Sequence, residues 1–241
     1  MAAPNDLTYP NAVPPTSARP RRVPADELPT PSLRGRLHQA LALLSPVATV
    51  VLLATAGDST RARVGALVYG LSMCTLFGVS AAYHRGHWGL VGRRRMKRLD
   101  HGAIFVLIAG TYTPICLVGI GGVAGTVLLV AAWVGGLAGV ALALTGIAER
   151  RIIGFASYLV LGWMALAAIP AILDRLGGGA LALLLVGGAL YSMGAVTLAT
   201  RRPDPAPLVF GYHEVWHVFT LAGAGFHFAL VLSILRDAGG G

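Results

Sequence analysis

From Leu37 onward, runs of about 20 apolar residues recur seven times, separated by short polar segments. A helix of that length crosses the ~30 Å hydrocarbon layer of a bilayer. In lipid a helix satisfies its backbone hydrogen bonds internally, whereas an open sheet cannot, and the runs lack the alternation of barrel strands. The expected spans are 37–56, 64–83, 102–121, 123–146, 152–172, 178–199 and 212–234. Composition agrees: of 241 residues 55% are hydrophobic and only 12% charged, against about 25% charged in a soluble domain. The chain therefore reads as an all-α membrane protein, a bundle of seven transmembrane helices.

Residues 1–31 carry eight of the 14 prolines, with Arg19, Arg21 and Arg22 among them, a composition that cannot bury a core. The expected organisation is a disordered proline- and arginine-rich tail at 1–33, a transmembrane domain at 34–236 and a short tail at 237–241. No secretory signal is expected, since the first apolar run begins only after Arg36. Cys74 and Cys116 lie inside apolar runs and do not make a disulfide framework.

The formal charge is +9, and 18 of the 19 basic residues are arginine. They sit between apolar runs rather than along one soluble face, which argues for topology-setting loops and against nucleic acid. Fifteen Lys and Arg fall on the side of the N-terminus, six of them between 84 and 101, and four fall on the other side. The bias predicts a cytoplasmic N-terminus and an extracytoplasmic C-terminus. Pro114 and Pro170 are expected to kink spans three and five. Gly135 and Gly139 have the spacing of a close helix contact.

Ionisable groups inside lipid are costly and mark function by default. Here they cluster: Ser80 and His84 end span two, Asp100 and His101 open span three, and His213, Glu214 and His217 open span seven. With the expected topology all three groups lie at one depth, near the inner leaflet. Taken singly, each histidine is adequately explained as a polar-tipped aromatic at the interface. As an aligned set they read as a metal site. His213 and His217 are one helical turn apart, His84 supplies a third nitrogen, and three protein ligands leave a position open, as catalytic zinc sites do. Asp100 is placed to hold the zinc's water or act as base, and Ser80, one turn before His84, can hydrogen-bond nearby.

His213-Glu214-Val215-Trp216-His217 also matches H-E-x-x-H, with Glu214 as the general base of a metalloprotease. That reading lacks a third ligand from a later span, although Asp100 could supply one. His227, about 15 Å beyond His217 along the helix, is expected to hydrogen-bond between helices or face a cavity. His38 is a candidate outer partner of the metal ligands, and His87 and His101 are expected at solvated or interfacial loop edges. Thr111, Tyr112 and Thr113 are expected to repair the backbone kinked at Pro114.

Ser80-Ala-Ala-Tyr-His84, Leu99-Asp100-His101, Ala109-Gly110-Thr111-Tyr112-Thr113-Pro114 and Tyr212-His213-Glu214-Val215-Trp216-His217 together resemble the bacterial hemolysin III family, over roughly 34–236. That family is related to the progestin and adiponectin receptors and, more distantly, to alkaline ceramidases. The resemblance implies a zinc ion held by His84, His213 and His217, Asp100 contacting the zinc's water and Ser80 nearby, in a seven-helix bundle with the N-terminus inside. It further implies a multi-pass protein of the cell membrane whose partners are the bilayer and a lipid substrate or ligand. Three functions are compatible with it: a zinc hydrolase of a lipid amide or ester, a pore-forming cytolysin in which zinc is structural, and a lipid sensor.

Overall fold

The structure is a computed structural model and describes residues 31–239; the expected tail up to residue 30 lies outside the described residues. Seven α-helices follow one another: α1 (Arg36–Thr55), α2 (Thr60–Arg85), α3 (Leu90–Pro114), α4 (Gly122–Thr145), α5 (Arg151–Trp163), α6 (Ile169–Thr200) and α7 (Tyr212–Gly239). Among the described residues there is no strand, only a single bridge between Ala206 and Phe210. Residues 237–239, expected as a tail, close the last turn of α7.

Six helical stretches among the described residues are long and apolar enough to cross a membrane. The expected spans five and six fall inside one of them, Ile152–Thr200, which is 49 residues long. It is not one rod. The chain tightens into a 3-10 turn at Met164–Ala168, and Gly177 takes φ 78°, ψ 176°, a backbone that breaks helical hydrogen bonding and that L side chains resist. Pro170 lies in the first turn of α6, where its missing N–H is no loss, so it opens a helix instead of kinking one.

One more expectation is corrected. The segment 84–101 was expected as a loop, but α3 begins at Leu90, so Arg93, Arg94, Arg95, Lys97 and Arg98 are helical. Arg, Lys, Met and Leu are strong helix formers, and a polar helical extension carries no apolar run to mark it. After Pro114 the helix continues as a π-helical turn, Ile115–Ile120, the wide geometry that absorbs a disturbed backbone ladder. Lys97 and Arg98 reach Glu149, in the turn after α4, at 2.9 and 3.2 Å. Chiefly through the Lys97 hydrogen bond, with Arg98 adding to it, they hold the Glu149 carboxyl below the usual glutamate value. These groups are 31–40% exposed, so the pairs add little stability.

The fourth helix buries mostly small residues and exposes large ones, the reverse of a helix in a soluble bundle. On α4, Val123, Val127, Val130, Val134 and Leu137 form one exposed stripe. Gly125, Ala132, Gly136, Gly139 and Ala143 face inward. A Cβ on Gly139 would fall 2.1 Å from the Phe105 ring, so α3 and α4 approach more closely than any larger residue permits. Consecutive helices α1 to α4 pack as neighbours and α6 packs on α7. The last helix, α7, also touches α1, α2 and α3. That return brings the first turns of α7 against the end of α2.

Candidate metal centre

His84 stands in the last turn of α2, and His213 and His217 in the first two turns of α7. Each offers one ring nitrogen, and these nitrogens lie within 4.8 Å of one another. The His84 and His213 Nε2 atoms are 3.2 Å apart. Metal–nitrogen bonds of about 2.0–2.1 Å at tetrahedral angles separate two ligand nitrogens by roughly 3.3 Å. The two distances agree.

The donor chemistry fits as well. His217 is buried, and neither of its ring nitrogens has a hydrogen-bond partner. Leaving a buried polar atom unpaired costs about 1–3 kcal/mol, and a metal ion bound at one of them removes that cost. Three neutral imidazoles with no carboxylate among them suit a divalent transition metal.

Around the three histidines the chain places a second set. His38, on α1, lies flat against His217, with ring centroids 3.8 Å apart and planes 11° from parallel. Its Nδ1 is 2.7 Å from Ser80 Oγ. Ser80 in turn hydrogen-bonds Asp100 on α3. All three are buried, so the serine hydroxyl links the carboxyl of Asp100 to the ring that stacks on His217. Asp100 is not in the three-nitrogen cluster. Above the site runs residues 32–35: Ser32 and Leu33 N–H groups donate to the Leu208 and Val209 carbonyls. Gly35 sits at φ 75°, and a Cβ there would be 2.5 Å from His84 Cβ; only glycine lets the chain pass this close.

Glu214, the acid of the H-E-x-x-H pattern, is turned elsewhere. Its Oε1 accepts from Arg34 Nε at 2.5 Å, and its Oε2 accepts from the Gly211 N–H at 2.9 Å. With both oxygens engaged, Glu214 fastens the start of α7 to the segment before α1. Arg34 is 22% exposed and Glu214 1%. Glu214→Gln is therefore expected to lower the unfolding midpoint in detergent, by roughly the 1.5–3 kcal/mol of a hydrogen bond to a charged group, and to leave metal content unchanged. An unchanged midpoint with metal lost would return Glu214 to the site.

The remaining histidines divide. His87 is exposed, as expected. His101 is not at a loop edge: it lies within α3, its Nδ1 is buried without a partner, and it lines a cavity. The long α3 is the reason. His227 makes the expected interhelical hydrogen bond, to the Leu184 carbonyl at 3.2 Å. Tyr112 repairs a neighbouring helix and not its own: its hydroxyl accepts from Ala165 N–H at 2.8 Å and reaches the Leu161 and Gly162 carbonyls at 3.0 and 2.9 Å, where α5 breaks. Thr111 and Thr113 bond back to Leu107 and Ala109 within their own helix. Arg34 had no role in the sequence beyond its charge; nothing in the pattern signals its partner 180 residues away.

A cavity of about 510 Å³ opens beside this set. His38, Ser80, Asp100, His227 and Tyr191 line it, together with apolar residues such as Ile104 and Leu184.

A family model described as "Haemolysin-III related" matches residues 27–228. The protein named "Hemolysin-3" of Bacillus cereus is 35% identical over 199 residues, covering 81% of this chain and 87% of its own length. The "Hemolysin-3 homolog" of Bacillus subtilis (strain 168) is 32% identical over 201 residues, covering 81% and 89%. With its apolar helices and a match of this extent, the chain is a multi-pass membrane protein and belongs to the hemolysin III family.

Proposed function

We propose that this protein is a membrane-embedded zinc hydrolase that cleaves an amide or ester bond in a lipid. The observation that carries the reading is a three-histidine set with no other protein ligand in the cluster among the described residues, beside a mostly apolar cavity in whose wall Asp100 and Ser80 stand. His84, His213 and His217 would hold the ion. A bound zinc with an open position lowers the pKa of its water to about 7 and polarises a carbonyl.

The chain's own residues supply the rest. The lipid enters laterally, its apolar part in the cavity and its carbonyl toward the histidines. A carboxylate oxygen of Asp100 takes a proton from the attacking water. The water oxygen bonds to the carbonyl carbon, the C–N or C–O bond breaks, and Asp100 returns the proton to the leaving amine or alcohol. Ser80 donates its hydroxyl proton to Asp100 and so holds the carboxylate toward the site, while His38 fixes Ser80. Purified protein reconstituted in liposomes is the test: an acyl amide or ester is released by the metal-loaded protein and not by chelated protein. Equal rates with and without metal overturn the reading.

The name Hemolysin-3 on the Bacillus cereus relative supports a second reading, cell lysis with zinc as a staple between α2 and α7. A lipid sensor without turnover is the third.

The same reading takes residues 34–236 as one transmembrane domain crossing seven times from a cytoplasmic N-terminus. The stretch Ile152–Thr200 spans about 73 Å at helical rise, more than twice the hydrocarbon layer, and its break at Gly177 supports two crossings. A reporter fused after Gly241 is then expected to be extracytoplasmic and one inserted after Gly92 cytoplasmic. A cytoplasmic C-terminus means an even number of crossings and overturns this topology.

A further inference from the structure

The polar groups along the cavity wall are mostly satisfied within the protein. Trp163 Nε1 donates to Ser192 Oγ, and Ser192 donates to the Gly188 carbonyl, both at 2.9 Å. Thr220 donates to the Trp216 carbonyl at 3.1 Å. His227 differs. Its Nε2 lies 3.2 Å from the Leu184 carbonyl. A carbonyl only accepts, so Nε2 carries the proton, and in the neutral ring Nδ1 is then an acceptor. The ring turns its Cδ2–Nε2 edge to α6, where a Cβ on Gly187 would be 2.3 Å from Cδ2. The opposite edge, with Nδ1, is the one left for the cavity that His227 lines. No hydrogen bond among the described residues takes Nδ1.

A glycine opposite the ring and a carbonyl that fixes its tautomer are a costly arrangement for a cavity meant only for hydrocarbon, where an aliphatic residue would pack better. His227 lies ten residues beyond His217 on α7, hence about 15 Å farther along the axis. Resting on the hydrolase reading, we infer that His227 is a specificity residue: the cavity takes lipids whose chain carries a hydroxyl about 15 Å from the reactive carbonyl, and that hydroxyl donates to His227 Nδ1. The Tyr191 ring, with its centroid 5.4 Å from that of His227, lines the same part of the wall.

The experiment uses the full chain, metal-loaded, in nanodiscs, with straight-chain acyl hydroxamates of one length as probes. One is unsubstituted; the others carry a single hydroxyl at successive carbons. Binding is expected to be tightest, by about fivefold over the unsubstituted probe, the worth of one net hydrogen bond, at the carbon that sets the hydroxyl about 15 Å from the hydroxamate. His227→Phe should bring that ratio to about one, and His227→Gln, which keeps a donor and an acceptor, should restore part of it. Should the unsubstituted probe bind as well as every hydroxylated one, the inference fails and the hydrolase reading stands. If no hydroxamate binds, both fail. A preference that survives His227→Phe moves recognition to another residue and overturns the assignment.

Discussion

Asp100→Asn is expected to keep the metal and the fold while turnover falls by about the 10²–10⁴-fold that loss of a general base costs. The substitution preserves size and shape, and the amide oxygen can still accept from Ser80, which hydrogen-bonds Asp100 in the native protein. What it removes is the capacity to take a proton, because an amide is not a base at any working pH. Asp100 is buried and stands outside the three-nitrogen cluster, so metal content should not change. The measurement is hydrolysis in liposomes alongside metal content and unfolding midpoint. Undiminished hydrolysis with metal retained removes Asp100 from the chemistry. Loss of metal instead makes it a ligand.

Zinc is expected to co-purify at about one ion per chain, and His84→Ala, His213→Ala and His217→Ala should each reduce occupancy to a small fraction. Losing an outer partner of a metal ligand weakens binding about 10–100-fold; losing one of three ligands should cost more than that. His217→Ala should be the most severe, because this ring is buried with both nitrogens unpartnered and also carries the stacked His38. Metal analysis after dialysis against a weak chelator checks it. Full occupancy in all three variants would sink the ligand assignment. His227→Ala should keep its metal, being about 15 Å away along α7.

Much of the helical architecture was legible in the chain because lipid imposes a simple rule: about 20 apolar residues per crossing. The polar part of α3 was not, since Arg93 to Arg98 satisfy helix propensity without satisfying that rule. The break at Gly177 falls between the expected spans five and six, at 173–177, but which residue there breaks the helix was not legible. Glycine is common in these helices, and only one that is forced to a positive φ ends one.

Sequence by itself determined the three-histidine set, through a one-turn spacing on α7 and the depth shared with His84, because both follow from helix geometry and the order of the spans. Ser80 and Asp100 were read from the same pattern, and both line one cavity with His38. Tertiary structure alone decided what each of the neighbouring groups does. Glu214 sits inside a metalloprotease pattern, yet Arg34 and the Gly211 N–H occupy its oxygens. His38 stacks on His217, and His227 presents one nitrogen to a carbonyl and the other toward the cavity. Such roles depend on which way a side chain points and on a partner far along the chain. Periodicity along one helix carries neither; they arise only when α7 folds back against α1, α2 and α6.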